Sequence, residues 1–213
     1  MRTIHCGDGL EFLRNTEFTA GHAFITSMPD VSELAPMKLP EWKQWFSAAA
    51  QLVCERAHPD AMVIFFQTDI KADGHWVDKG YLVTAGAEAA GSHCLWHKIV
   101  CRASPGIVTF GRPAYAHMLA FSKNLKLEKG QASADVIAQL GDMPWARAMG
   151  VAACVEAVRF LKKHTSTHTV IDPFCGLGTV LAVAEKFELN AVGVELSAKR
   201  AKRAQTLEVK LPL

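Results

Sequence analysis

The segment Asp172-Pro173-Phe174-Cys175-Gly176-Leu177-Gly178-Thr179 sets an acid, two glycines and a hydroxyl in a row, directly after the apolar pair Val170-Ile171. A strand running into a glycine turn and then a helix, here Val180 to Phe187, is the usual α/β device for holding a nucleotide cofactor. Gly176 and Gly178 lack a Cβ, so the turn is free to adopt positive φ and let a ligand touch the backbone. A second apolar run, Asn190 to Leu196, carries Glu195, about twenty residues beyond the turn. An acid there is suited to accept both hydroxyl hydrogens of an adenosine ribose. Leu181 stands where the dinucleotide fingerprint has its third glycine, which points to an adenosine cofactor other than NAD.

A second set of reactive side chains precedes these. Ser27-Met28-Pro29-Asp30 follows the apolar strand Ala23 to Thr26. Asp30 either serves as a general base or caps the segment after it. The stretch Gln67 to Lys79 follows a wholly apolar strand and holds Asp69, Lys71, His75 and Trp76. Trp76 offers a stacking surface for an unpaired base, and Asp69 a hydrogen-bond acceptor for a nitrogen. Arg102 and Arg112 flank a stretch with Gly106, Gly111 and Pro113 that reads as an exposed loop, and both suit phosphate contacts. Lys98 and Lys123 are further cations of the same region, and Lys199, Arg200, Lys202 and Arg203 read as a solvated helix face.

The elements that must position these groups alternate. Strands are expected at Thr3–Cys6, Ala23–Thr26, Ala61–Phe66, Leu95–Arg102, His117–Ser122, Val170–Asp172 and Asn190–Leu196. Helices are expected at Gly9–Arg14, Pro40–Ala57, Tyr81–Ala90, Pro144–Lys163, Val180–Phe187 and Ser197 to about Val209. Gln67–Lys79 is expected to be a loop, and Leu125–Asp142, the most polar stretch, a mobile linker. The alternation predicts an α/β fold with a seven-stranded, mostly parallel sheet and helices on both faces. Ligands then sit beyond the carboxyl ends of the strands, which gathers Asp8, Ser27 to Asp30, Gln67 to Asp69, Asp172 and Glu195 into one crevice.

Composition sets the bounds. The chain has 213 residues, half of them hydrophobic, which suits a single domain with a sizeable core. The net charge of +2 does not by itself demand a polyanion. Six cysteines form no Cys-x-x-Cys pair and read as reduced residues of a cytoplasmic protein, and no metal site is expected. No apolar run is long enough for a membrane span, and no signal peptide is recognised.

These motifs resemble the S-adenosylmethionine-dependent methyltransferases, and more narrowly the circularly permuted adenine-N6/cytosine-N4 DNA amino-methyltransferases. Gly7-Asp8 resembles the class's N-terminal Gly-Asp. Ser27-Met28-Pro29-Asp30 stands at its catalytic Asp/Asn/Ser-Pro-Pro-aromatic tetrapeptide. Leu95-Trp96-His97-Lys98 and His117-Met118-Leu119-Ala120-Phe121 resemble its Trp-x-Lys and His-Glu-x-x-x-Phe strands. Asp172 to Thr179 matches Asp-Pro-Phe-x-Gly-x-Gly-Thr, and Gly193-Val194-Glu195 matches Gly-x-Glu.

The resemblance implies a Rossmann-like domain in permuted order. Residues 1–122 form an acceptor half, 123–143 a linker and 144–213 a cofactor half. It implies S-adenosylmethionine as cofactor, with Asp172, Pro173, Phe174, Gly176, Gly178 and Thr179 around its methionine, Glu195 on the ribose and Asp8 near the adenine. Ser27, Met28, Pro29, Asp30 and Asp69 would be catalytic, and Lys71, His75, Trp76, Arg102 and Arg112 would face the acceptor. Two departures matter. Met28 replaces a proline and Asp30 the stacking aromatic, and no insertion is long enough for a target-recognition domain. A compact core of this kind suits a folded RNA, so methylation of a nucleobase nitrogen in RNA is expected. DNA adenine-N6 or cytosine-N4 methylation is the alternative. Small-molecule or protein methylation, or a non-catalytic cofactor-binding module, stand behind it.

Overall fold

A computed structural model describes residues 1–34 and 36–212. In chain order the elements are β1 (Arg2–Cys6), α1 (Gly9–Asn15), β2 (His22–Thr26), a 3₁₀ turn (Val31–Glu33), α2 (Leu39–Arg56) and β3 (Val63–Gln67). Then come β4 (Ile70–Ala72), β5 (His75–Val77), α3 (Lys79–Ala89), β6 (His93–Cys101), β7 (Tyr115–Ser122) and β8 (Val136–Ile137). The chain closes with α4 (Val151–His164), β9 (Thr169–Asp172), α5 (Thr179–Lys186), β10 (Asn190–Glu195) and α6 (Ala198–Thr206).

The main sheet has eight strands in the order β1-β10-β9-β2-β3-β7-β6-β8, and β7 alone runs against the rest. Burial on both faces accounts for the parallel arrangement. In β3, Ile64 and Phe66 join the core under α4 and α5, while Val63 and Phe65 face the core under α1, α2 and α3. Between β9 and β2 the connections diverge. β9 passes through α5 to β10 on one side, and β2 through α2 to β3 on the other. This is a topological switch point, where open α/β sheets bind ligands. β1 lies beside β10, so the first strand of the chain extends the same side of the sheet as the last.

The α/β architecture matches expectation, with three differences. The linker contributes an eighth strand: Val136–Ile137 pairs with β6, and the buried Lys98 ammonium donates to the carbonyls of Ser133 (3.1 Å) and Ala134 (2.9 Å). That cation is spent on backbone and does not face a phosphate. Residues 70–77 form a two-stranded hairpin rather than an irregular loop, turning at Asp73-Gly74 with φ of 50° and 75°. Helix α4 starts at Val151, not at Pro144. Its first N–H groups are satisfied by the chain before it: Val151 donates to the Asp142 carbonyl (2.8 Å) and Ala153 to that of Leu140 (3.2 Å). Residues 144–150 are thereby left as a strap across the carboxyl edge of the sheet.

Candidate functional site

The strap and the strand ends enclose a cavity of about 230 Å³. Asp8, Ser27, Met28, Trp145, Asp172 to Gly176, Thr179, Glu195 and Arg200 are in its wall. Its floor is the turn between β9 and α5. Gly176 has φ of 57°, and a Cβ there would lie 2.7 Å from the Trp145 ring. Gly178 has φ of 77° and opens α5 in the left-handed region, beside Ala204. It shapes the turn but is not in the cavity wall.

The polar groups of this wall have unused capacity. Thr179, buried at the first turn of α5, has a hydroxyl without a partner among the described residues. One carboxylate oxygen of Asp172 accepts from the Thr26 hydroxyl (2.7 Å) and the Phe174 N–H (3.1 Å), which ties β9 to β2 at the switch point. Burial raises the Asp172 carboxyl to about 7 despite those bonds. One Glu195 oxygen takes the Ser197 N–H (2.7 Å) and both Arg200 donors (2.9 and 2.8 Å), and no bond to its Oε2 is found among the described residues. Asp8 caps α1 through the N–H groups of Leu10 (2.7 Å) and Glu11 (3.0 Å), so a capping role and a place in the cavity coexist. The Cys175 thiol is pushed up by burial, which leaves it unreactive.

A smaller cavity of about 40 Å³ adjoins the first, with Ser27, Met28, Glu33, Arg147 and Ala148 in the walls of both. Gln67, Thr68, Lys79, Arg102, Arg112 and Asp30 line the remainder. Met28 is buried, and the Pro29 carbonyl accepts from the Trp42 indole (3.2 Å). Asp30 is not a free acid. Its carboxylate is ion-paired with the buried Lys79 ammonium and with Arg112 (2.7 Å). Asp30 also stands at the N-cap of the 3₁₀ turn: its backbone N–H donates to the Glu33 carboxylate (3.0 Å), its carbonyl accepts from the Glu33 N–H (2.8 Å), and Glu33 pairs with Arg147 (2.6 Å). Lys79 also faces the rings of Trp42 and Phe46 at 5.5 and 5.7 Å, and burial pulls its ammonium below the usual lysine range.

Asp69 is equally committed. It is buried and accepts from the Lys79 N–H (2.8 Å), the Trp76 indole (2.9 Å) and His117 (2.9 Å), and His117 contacts His97 (2.8 Å). Burial raises its carboxyl, but the three donors outweigh that and hold it below the usual carboxylate range. It fixes the hairpin and is not in the wall of either cavity. Lys71, His75 and Trp76 stay on that hairpin, outside both cavity walls, with Lys71 stacked over Trp76 at 5.2 Å. Arg102 and Arg112 do line the smaller cavity. The loop between them exposes Ile107, Val108 and Phe110, the last at 91%. Lys123 donates to the Glu55 carbonyl at the end of α2 (3.0 Å), which removes it from the free cations.

Gln67 stands in the crevice that the strand-end rule predicts, whereas Lys79 and Arg147 lie outside the expected set, and nothing local marks Lys79, which opens a helix 49 positions after Asp30.

No protein-family model matches the chain, and no curated protein matches it. Solved structures do. One is a candidate DNA modification methylase from Thermus thermophilus in complex with S-adenosyl-L-methionine, at 18% identity and a TM-score of 0.70, covering 96% of this chain and 91% of that one. Another is the cytosine-N4-specific PvuII DNA methyltransferase, at 14% identity and a TM-score of 0.70, covering 96% and 85%. A third is the S-adenosylmethionine complex of M1.HpyAVI, at 15% identity and a TM-score of 0.59, covering 96% and 98%. The chain shares their fold over nearly its whole length.

Proposed function

We propose that the protein is an S-adenosylmethionine-dependent methyltransferase that modifies a nucleobase nitrogen. One observation carries the reading. A 230 Å³ cavity with unused polar groups at Asp172, Thr179 and Glu195 meets a second cavity at Ser27-Met28, so a cofactor and an acceptor would touch there.

The residues fit the cofactor. Gly176 leaves a cradle that a Cβ would fill, and Thr179 has a buried hydroxyl to satisfy. Asp172 and Thr179 would hold the methionine end, with Pro173, Phe174 and Gly176 shaping its channel, and Glu195 Oε2 would take the ribose. When bound, S-adenosylmethionine supplies an electrophilic methyl group on a positively charged sulfur. The chain's own work is orientation. The Ser27 hydroxyl and the Met28 carbonyl would accept the hydrogens of the acceptor amine and turn its lone pair toward the other cavity. Asp30, held by Lys79 and Arg112, would fix the tetrapeptide rather than take the proton, which would leave the methylated nitrogen for solvent as the thioether is released.

DNA is the first substrate to test. The RNA expectation rests on the lack of a recognition insertion, yet this chain covers 91% of the Thermus DNA modification methylase and 85% of the PvuII DNA methyltransferase. Compactness therefore does not separate DNA from RNA. RNA remains as a second reading, favoured by the ion-paired Asp30 where an aromatic would stack on an ordinary base. The exposed Phe110 loop beside Arg102 and Arg112 suits either polymer. Methyl transfer from labelled S-adenosylmethionine into separated DNA and RNA, both from cells lacking the protein, tests the reading. Label in either polymer supports it, and the labelled fraction names the substrate. Label in neither defeats it.

A further inference from the structure

The small cavity beside Ser27 is furnished for something other than a plain base. Four cations line it, Lys79, Arg102, Arg112 and Arg147, against two acids, Asp30 and Glu33. The acids account for three of the cations: Asp30 takes Lys79 and Arg112, and Glu33 takes Arg147. Arg102 has only the neutral Thr68 hydroxyl (3.1 Å) among the described residues. It is half-buried, so its charge is only partly relieved by bulk water.

A second, independent observation lies in the same wall. Gln67 is 1% exposed, and its side-chain NH₂ has no acceptor among the described residues. A buried amide left without an acceptor is costly, and strand ends that line ligand sites are where such costs are met by a ligand. Both unmatched groups are donors, and one of them is cationic. Their common complement is an oxyanion, since a neutral acceptor would leave the extra charge unanswered. Size points the same way. About 40 Å³ exceeds the roughly 15 Å³ that one water needs, which leaves room for a small oxyanion. A carboxylate, or the oxygens of one phosphate, fits such a space.

We propose that the acceptor molecule carries an oxyanion close to the methylated nitrogen, and that Arg102 and the Gln67 amide bind it in this cavity. This rests on the proposed methyltransferase reading for the word acceptor, but the anion site itself does not. The oxyanion is either a carboxylate on a modified nucleoside or a backbone phosphate of the polymer. In both cases the pocket selects on charge where a stacking aromatic would select on ring shape.

The test is binding, followed by NMR of the Gln67 side-chain amide and the Arg102 Nε–H on the whole chain. The probes are acetate and inorganic phosphate, with chloride as the ionic-strength control. S-adenosylhomocysteine affinity is measured alongside. Saturable shifts with acetate alone assign a carboxylate, and shifts with phosphate alone or with both assign the phosphate-competent site. Arg102→Ala and Gln67→Leu should each weaken that response about tenfold, with S-adenosylhomocysteine affinity kept as the sign of an intact fold. If a variant loses that affinity too, Arg102→Lys and Gln67→Glu replace it, and the Glu variant should abolish anion binding by repulsion. No saturable shift, or equal shifts with chloride, overturns the proposal. Failure of the wild-type protein to bind S-adenosylhomocysteine would instead overturn the cofactor reading and leave the anion result standing.

Discussion

Lys79 and Asp30 meet as a buried ion pair between the first turn of α3 and the tetrapeptide after β2, in the wall of the smaller cavity. The carboxylate would otherwise be free to act as a base. Instead it is an anchor shared with Arg112.

Removing one partner strands the other. Asp30→Ala should destabilise the protein by about 3 kcal/mol, because it leaves the Lys79 ammonium buried without its counter-charge. The double variant Asp30→Leu, Lys79→Met should recover most of that loss. Chemical denaturation of Asp30→Ala, of the singles Asp30→Leu and Lys79→Met, and of the double variant checks it. Additive losses would show that the pair is not coupled.

Asp172 should make cofactor binding pH-dependent. Its carboxyl is raised to about 7 by burial, so the neutral form prevails in the empty site below that pH. A cationic ligand requires the ionised form. Affinity for S-adenosylmethionine should therefore rise about tenfold per unit as pH increases toward about 7, then level off. Asp172→Asn, which still accepts from Thr26, should bind weakly with no such slope. Stability of the ligand-free protein should move the opposite way. A carboxyl raised in the folded state stabilises fully below its unfolded pKa of about 4, and the contribution is lost as pH rises through about 7. Calorimetric titration and melting curves across that range test both.

The cofactor turn was legible because its parts are contiguous. Acid, glycines, hydroxyl and helix start follow one another within Asp172 to Thr179, and the conformation is local. The wall of the smaller cavity was not, because its contacts are long-range: Asp30 finds Lys79 and Arg112 at separations of 49 and 82 residues. The hairpin at 70–77 did carry a signal, since Asp73-Gly74 between two short β runs is a common two-residue turn. Its Trp76 and Asp69 bond to each other, so side chains that suit a ligand by type serve the fold. The eighth strand is two residues long, too short to leave a periodic pattern in a polar stretch.

Gly176→Ala should lose cofactor affinity while the sheet survives. The new Cβ would press on Trp145, and a left-handed backbone costs a side chain about 1 to 2 kcal/mol. Tryptophan fluorescence should shift with the displaced ring. Unchanged fluorescence and unchanged S-adenosylmethionine affinity would argue against the strap as the cavity's cover.

The loop tip predicts a surface effect alone. Phe110 is 91% exposed, so Phe110→Ala should leave the melting temperature unchanged. Affinity for single-stranded nucleic acid should fall by about 1 to 3 kcal/mol if the ring stacks on a base. Fluorescence anisotropy with labelled oligonucleotides reads it, and equal affinity for both proteins would remove the loop from the substrate interface.

Mass spectrometry of nucleosides is the most direct test of the proposed chemistry. DNA and RNA from cells lacking the protein are incubated with it and with S-adenosylmethionine bearing a deuterated methyl group, then digested. A deuterated methyl on a base nitrogen, absent when the Glu195→Ala variant replaces the wild type, is the expected result. A label on carbon or oxygen, or no labelled nucleoside from either polymer, would contradict it.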